Sequence, residues 1–267
     1  MIKKKNFRKS YFIALFIISA FACVLIFFVY SNSVSAAITH TTLTQGSSGW
    51  DTTNATTASI TPGANRLILL SIAQAASSGN GSPPSSITGN GLTWVRILPD
   101  IYDPGNHYGL YLYRAMGSSP TAGAISISFV GQTQDRFSWS VDEFDGVNTS
   151  GTNGSGAIGS TSTAAVWPST SVNATLSSVG ANSATFGLAV MALSGTMTAG
   201  TGYTLLGNQD NTHNHAYHFS TEWRVVGQTA VGFSFSSSGG PFFMGAVEIK
   251  APTSANARKF RGRGVSR

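Results

Sequence analysis

From residue 38 to residue 251 apolar side chains recur at every second position, and no stretch carries them at the three-to-four spacing of a helix. Tyr217, Phe219, Thr221, Trp223 and Val225 alternate with His218, Ser220, Glu222 and Arg224, the pattern of a half-buried antiparallel strand. Ile125, Ile127 and Phe129 alternate with serines, Val231, Phe233 and Phe235 with Gly232 and Ser234, and Phe243, Val247 and Ile249 with Met244, Glu248 and Lys250. Phe137, Trp139 and Val141 form a further inward row. Leu67 to Ala73 and Phe186 to Leu193 are apolar on both faces, as central strands covered on both sides would be.

Clusters of Gly, Pro, Ser and Asn punctuate these runs at 77–86, 103–106, 148–159 and 236–241. About a dozen short strands, each with an apolar face to bury, predict an all-β fold: an antiparallel, jelly-roll-like β-sandwich over residues 38–251. A faint repeat runs through it. Gly63-Ala64-Asn65 leads into the strand at Leu67 as Gly180-Ala181-Asn182 leads into that at Phe186, and Ile127-Ser128-Phe129 matches Phe233-Ser234-Phe235. Each half closes on a strand with an acidic residue near its end, Glu143 in one and Glu248 in the other. Two pseudo-repeated halves are therefore expected, sharing one strand order.

The two ends differ in kind. Five Lys or Arg residues precede an uncharged apolar run from Tyr11 to Tyr30, followed by Val34, Ser35, Ala36 and Ala37. That is the layout of a signal peptide over residues 1–36, although the run is long enough to serve instead as an uncleaved N-terminal anchor. A secreted or cell-surface location follows, with membrane contact only through that segment. Residues 252–267 lose alternation and carry five Lys or Arg, as a disordered basic tail does. Between the ends, six basic residues stand against all ten acidic ones. The basic balance of the whole chain thus belongs to its termini, and nucleic-acid binding by the folded part is disfavoured. The single cysteine, Cys23, lies in the apolar run, so the core must hold without disulfides.

Few residues suggest chemistry. Glu143 and Asp145 stand two apart, on one face of a strand. This resembles the carboxylate strand of jelly-roll glycoside hydrolases of the laminarinase type, where paired carboxylates about 5 Å apart act as nucleophile and acid/base. Val147 occupies the position where that strand would need its second Glu. His213, His215 and His218, with Asp210 ahead, could share a zinc-like ion, and Asp100 with Asp103 and Asn106 could frame a calcium site; no other cofactor is indicated. Polar loop histidines and an ordinary Asp-Pro-Gly-Asn turn are the alternatives. If Leu110 and Leu112 face the core, Tyr111 and Tyr113 point to solvent or to a covering layer, with Tyr102 and Tyr108 nearby; exposed aromatics of this kind stack on sugar rings. Trp94, Trp139 and Trp223 read as core, and Trp167 beside Pro168 fits either setting.

Gly-Ala-Asn before an apolar strand (63–73), Gly-Leu-Thr-Trp (91–94), Leu-Tyr-Leu-Tyr-Arg (110–114), Phe-Asp-Gly-Val (144–147) and the closing Met-Gly-Ala-Val-Glu-Ile-Lys (244–250) follow one another in order. In this order the chain resembles the jelly-roll, concanavalin-like β-sandwich modules of bacterial and phage surface proteins of uncharacterised function. The resemblance implies architecture and surface location and assigns no ligand. The expectation is an exported, non-catalytic module that binds a cell-surface glycan or other extracellular polymer, or contributes to adhesion. A glycan-cleaving enzyme using Glu143 and Asp145, and a structural surface or filament subunit pairing through exposed strand edges, are the alternatives.

Overall fold

The computed structural model describes residues 37–102 and 107–252. The expected export segment and the basic cluster from Arg258 onward lie outside those residues. The first half contains β1 (Thr39–Ser47), β2 (Asn54–Thr56), β3 (Leu67–Ala76), β4 (Ser86–Thr88), β5 (Val95–Arg96), β6 (Ile101–Tyr102), β7 (Tyr108–Ala115), β8 (Ser126–Ser128) and β9 (Gln134–Asp145). The second contains β10 (Ile158–Val166), β11 (Ser171–Thr175), β12 (Ala184–Met191), β13 (Met197–Ala199), β14 (Thr204–Asn211), β15 (Tyr217–Arg224), β16 (Ala230–Phe235) and β17 (Phe242–Ile249). Every pairing is antiparallel, and one 3₁₀ turn at Ser155–Ala157 is the sole helical element among the described residues. No helix there is long and apolar enough to cross a membrane.

The two halves share one winding. In the first, a large sheet runs β1, β9, β3, β7, β5, with β6 also on β7, and a small sheet runs β2, β8, β4. In the second, the large sheet runs β10, β17, β12, β15, β14 and the small one β11, β16, β13. Setting aside β6, which has no counterpart in the second half, the strands numbered within each half follow one order in both, 1-8-3-6-5 in the large sheet and 2-7-4 in the small one. Registers agree to the residue: Leu67 faces Phe144 as Ala184 faces Ile249, and Ile68 faces Glu143 as Thr185 faces Glu248. The turn before each central strand is tied in the same way, for Glu143 accepts from the Gly63 amide at 2.6 Å and Glu248 from the Gly180 amide at 2.7 Å. The all-β, antiparallel, pseudo-repeated sandwich read from the sequence is the fold observed.

Four sheets stack to give three cores. The large sheets meet face to face through Leu69, Leu112, Phe144, Phe186, Leu188 and Phe219. The opposite face of the first large sheet packs Ile72, Tyr111 and Trp139 against Ile127 and Phe129 of its small sheet. The second large sheet does the same with Met191, Phe242 and Met244 against Val231 and Phe233. Both large sheets are therefore interior layers, which is why β3 and β12 are buried along their whole length.

That layering corrects one expectation and resolves another. Strand β15 is not half-buried: His218, Ser220 and Glu222 on its polar face are all within 1 % of full burial, because the small sheet β11–β16–β13 lies over them. For Tyr111 and Tyr113 the layering decides for the covering layer and against the exposed, sugar-stacking alternative. They are 1 % and 8 % exposed in the core under β2–β8–β4. Their phenols are pushed up by burial, Tyr113 to about 12. An aromatic on the second face of a large sheet meets a sheet here, not a sugar.

Candidate functional site

Asp135, the second residue of β9, carries a carboxylate that is 1 % exposed. It accepts hydrogen bonds from Asn211 Nδ2 at 3.0 Å, from the His215 amide at 3.1 Å and from His213 Nδ1. Burial alone would raise this carboxyl; the bonds from Asn211, His213 and His215 outweigh it and hold it below the ordinary carboxylate range. An ionised carboxylate only accepts, so Nδ1 of His213 carries the hydrogen of that bond. Asn211 adds two bonds of its own, from Nδ2 to the His215 carbonyl at 2.7 Å and from the His213 amide to Oδ1 at 3.0 Å. The connection from β14 to β15 is thus pinned by side chains of both halves.

The ring of Trp50 lies flat on this support, stacked on His213 with centroids 4.8 Å apart and planes 10° from parallel. Trp50 is 59 % exposed. One face of the indole is fixed by an imidazole that is itself fixed by a buried carboxylate, and the rest meets solvent. Asp51 and Ser77, joined by a 3.0 Å bond, supply polar atoms close by. Next to His213 the rings of His107 and His215 lie 3.9 Å apart, each with a buried Nδ1 that has no hydrogen-bond partner. Burial, then the neighbouring His107, lower the pKa of His215 below its ordinary value.

The structure places the other candidates as follows. Tyr108 is half-buried against the central core and donates to the Ala216 carbonyl at 3.1 Å, bracing the same connection. Tyr102 stands on β6 opposite Gly109. Glu143 and Asp145 are brought together by Arg66, which bonds Glu143 at 2.7 Å and approaches Asp145 at 3.3 Å. Both Glu143 oxygens are occupied, one by Arg66 and one by the Gly63 amide, and the residue is 4 % exposed. Its place is that of a turn brace. The histidine cluster does not converge: His213 bonds Asp135, His215 faces His107, and His218 is buried with Asp210 at 2.7 Å and against Phe235. No group of three His, Cys, Asp or Glu among the described residues is placed to share a metal ion. Asp100 is paired with Arg96, and Asp103 falls outside the described residues.

Sequence reasoning missed Trp50 and Asp135. Trp50 follows Ser47-Ser48-Gly49 and precedes Asp51, a turn context that signals an exposed indole. Asp135 gives no such signal, since its partners lie 76 to 80 residues away. No protein-family model, curated protein or solved structure matches the chain.

Proposed function

We propose that the chain is an exported, non-catalytic β-sandwich module that binds a cell-surface glycan or other extracellular polymer, with Trp50 as its stacking platform. The observation that carries this reading is the Trp50–His213–Asp135 column. An exposed indole held by a stacked ring and a buried anion loses little side-chain freedom on binding, so most of the apolar contact it makes is retained as affinity. Sugar rings offer a flat apolar face with polar rims, and Trp50 offers an exposed indole with the Asp51–Ser77 pair beside it in the chain. The engagement of Glu143 by Arg66 and Gly63 supports binding over hydrolysis.

A glycan array probed with the purified chain, then with Trp50→Ala and with Trp167→Ala, tests this. Loss of an anchoring aromatic at the centre of a contact costs about 2 kcal/mol or more, about thirtyfold in affinity. Trp50→Ala is expected to lose the wild-type hits by that factor at an unchanged unfolding temperature, and Trp167→Ala, 71 % exposed, to keep them. Wild-type binding in Trp50→Ala, or an array without hits, sinks the reading.

A further inference from the structure

At the far end of β15 from Trp50 lies a cavity of about 310 Å³, lined by Gly202, Thr204, Trp223, Arg224, Val225 and Val226. Trp223 lies six steps along the strand from Tyr217, so this cavity is roughly 20 Å from the Asp135 connection and forms a separate place on the molecule.

The cation in it is held still and left without a counter-charge. Arg224 donates from Nε to the Val226 carbonyl at 2.9 Å and from Nη1 to the Thr201 carbonyl at 3.1 Å. Two backbone acceptors thereby fix the plane of the guanidinium, whose Cζ stands 6.0 Å from the centre of the Tyr203 ring. Among the described residues Nη2 has no hydrogen-bond partner, and no Asp or Glu lies within ion-pair distance of Arg224. Gly202, at φ 79°, leaves the room that the guanidinium occupies. The apolar wall is equally fixed. Trp223 packs against His40 at 5.1 Å and Phe144 at 6.0 Å, and His40 is bonded to the buried Asp142 at 2.8 Å. Val225 and Val226, 45 % and 60 % exposed, line the same cavity.

We infer that this cavity binds a carboxylate-bearing ring, the Arg224 guanidinium taking the carboxylate and Trp223 with the two valines taking the apolar face of the ring. A planar guanidinium with free N–H groups matches a carboxylate, and its orientation by backbone carbonyls lowers the cost of ordering it. Thr204 supplies a hydroxyl at the rim for a ring substituent. A uronic-acid unit of a polymer and a free aromatic acid are the two sources of such a group. The site goes beyond the Trp50 platform and does not depend on it.

The test is a calorimetric titration of the full chain with trigalacturonate, with its methyl ester, and with benzoate. A charge-assisted pair gives the acid a preference of roughly tenfold or more over the ester, reduced by salt. Arg224→Gln is expected to abolish that preference and Trp50→Ala to leave it intact. Preference for trigalacturonate over benzoate assigns the site to an acidic polymer; equal or tighter binding of benzoate with the same Arg224 dependence assigns it to a small aromatic acid. The inference is overturned if neither acid binds, if acid and ester bind alike, or if Arg224→Gln keeps the preference. The comparison of acid with ester on the wild-type chain needs no variant, and so stands even if Arg224→Gln fails to fold. Loss of the preference in Trp50→Ala would instead place the acid on the other surface.

Discussion

Glu222 is a carboxyl set between two sheets with no cation beside it. Its Oε2 accepts from the Gly200 amide at 2.7 Å, its Oε1 has no hydrogen-bond partner, and burial pushes its pKa up to about 8. The folded chain therefore keeps a proton that the unfolded chain gives up near its ordinary value of 4.5. Stability that is complete below that value falls as pH rises from there to about 8, by at most about 1.4 kcal/mol per pH unit. Glu222→Gln removes the titration. Thermal unfolding should place the variant close to wild type at pH 5 and clearly above it at pH 8.5, and an equal gap at both values would refute the linkage. Glu222, His218 and Ser220 all resemble solvent-facing residues in the sequence because alternation reports that two faces differ, not what covers the second. For the same reason the sequence left Tyr111 and Tyr113 open between solvent and a covering layer. The Trp50 column escaped notice for another reason: its members come from three separate segments, and only folding brings them together.

At the scale of elements, the clearest unit is the Gly-Ala-Asn turn with its distant carboxylate. Glu248 receives the Gly180 amide, the Ser183 hydroxyl at 2.7 Å and the Ser160 amide at 3.1 Å, while Glu143 receives Gly63 and Arg66. Burial would raise the Glu248 carboxyl, and these donors hold it below the ordinary range instead. Its contribution is thus present above the ordinary carboxylate range and lost as pH falls through the lowered folded value. Glu143→Gln and Glu248→Gln should each cost roughly 1–3 kcal/mol in denaturant unfolding near pH 7, because each replaces a charged acceptor of several hydrogen bonds by a neutral amide. A variant within a few tenths of wild type would show that its turn needs no brace. Here the sequence was informative: Gly63-Ala64-Asn65, Gly180-Ala181-Asn182, Glu143 and Glu248 are enough to align the halves, and the continuous apolar runs at 67–73 and 186–193 already mark the two central strands. The small sheets were harder to assign to a layer, since three-residue strands such as β4 and β13 carry too few alternations to say which surface they cover.

Across the whole molecule, the central core belongs to neither half alone. Phe144 meets Phe186 edge-on at 5.8 Å, and Ser138 shares a 2.9 Å hydrogen bond with the Tyr217 hydroxyl. The rims are also joined: Gln45 Nε2 donates to the Leu206 carbonyl at 2.8 Å, and the Gln209 side-chain amide pairs with both backbone groups of Gly46. Pairings between strands far apart in sequence dominate such a stack, so folding should be slow for its size. Between β9 and β10, Thr149 to Thr152 run exposed over the surface. Severing the chain there interrupts one covalent thread and no layer. A protease acting at that loop should yield two pieces that separate only in denaturant and travel together in size-exclusion chromatography, and the same break, made in the gene, would turn one polypeptide into a self-assembling pair.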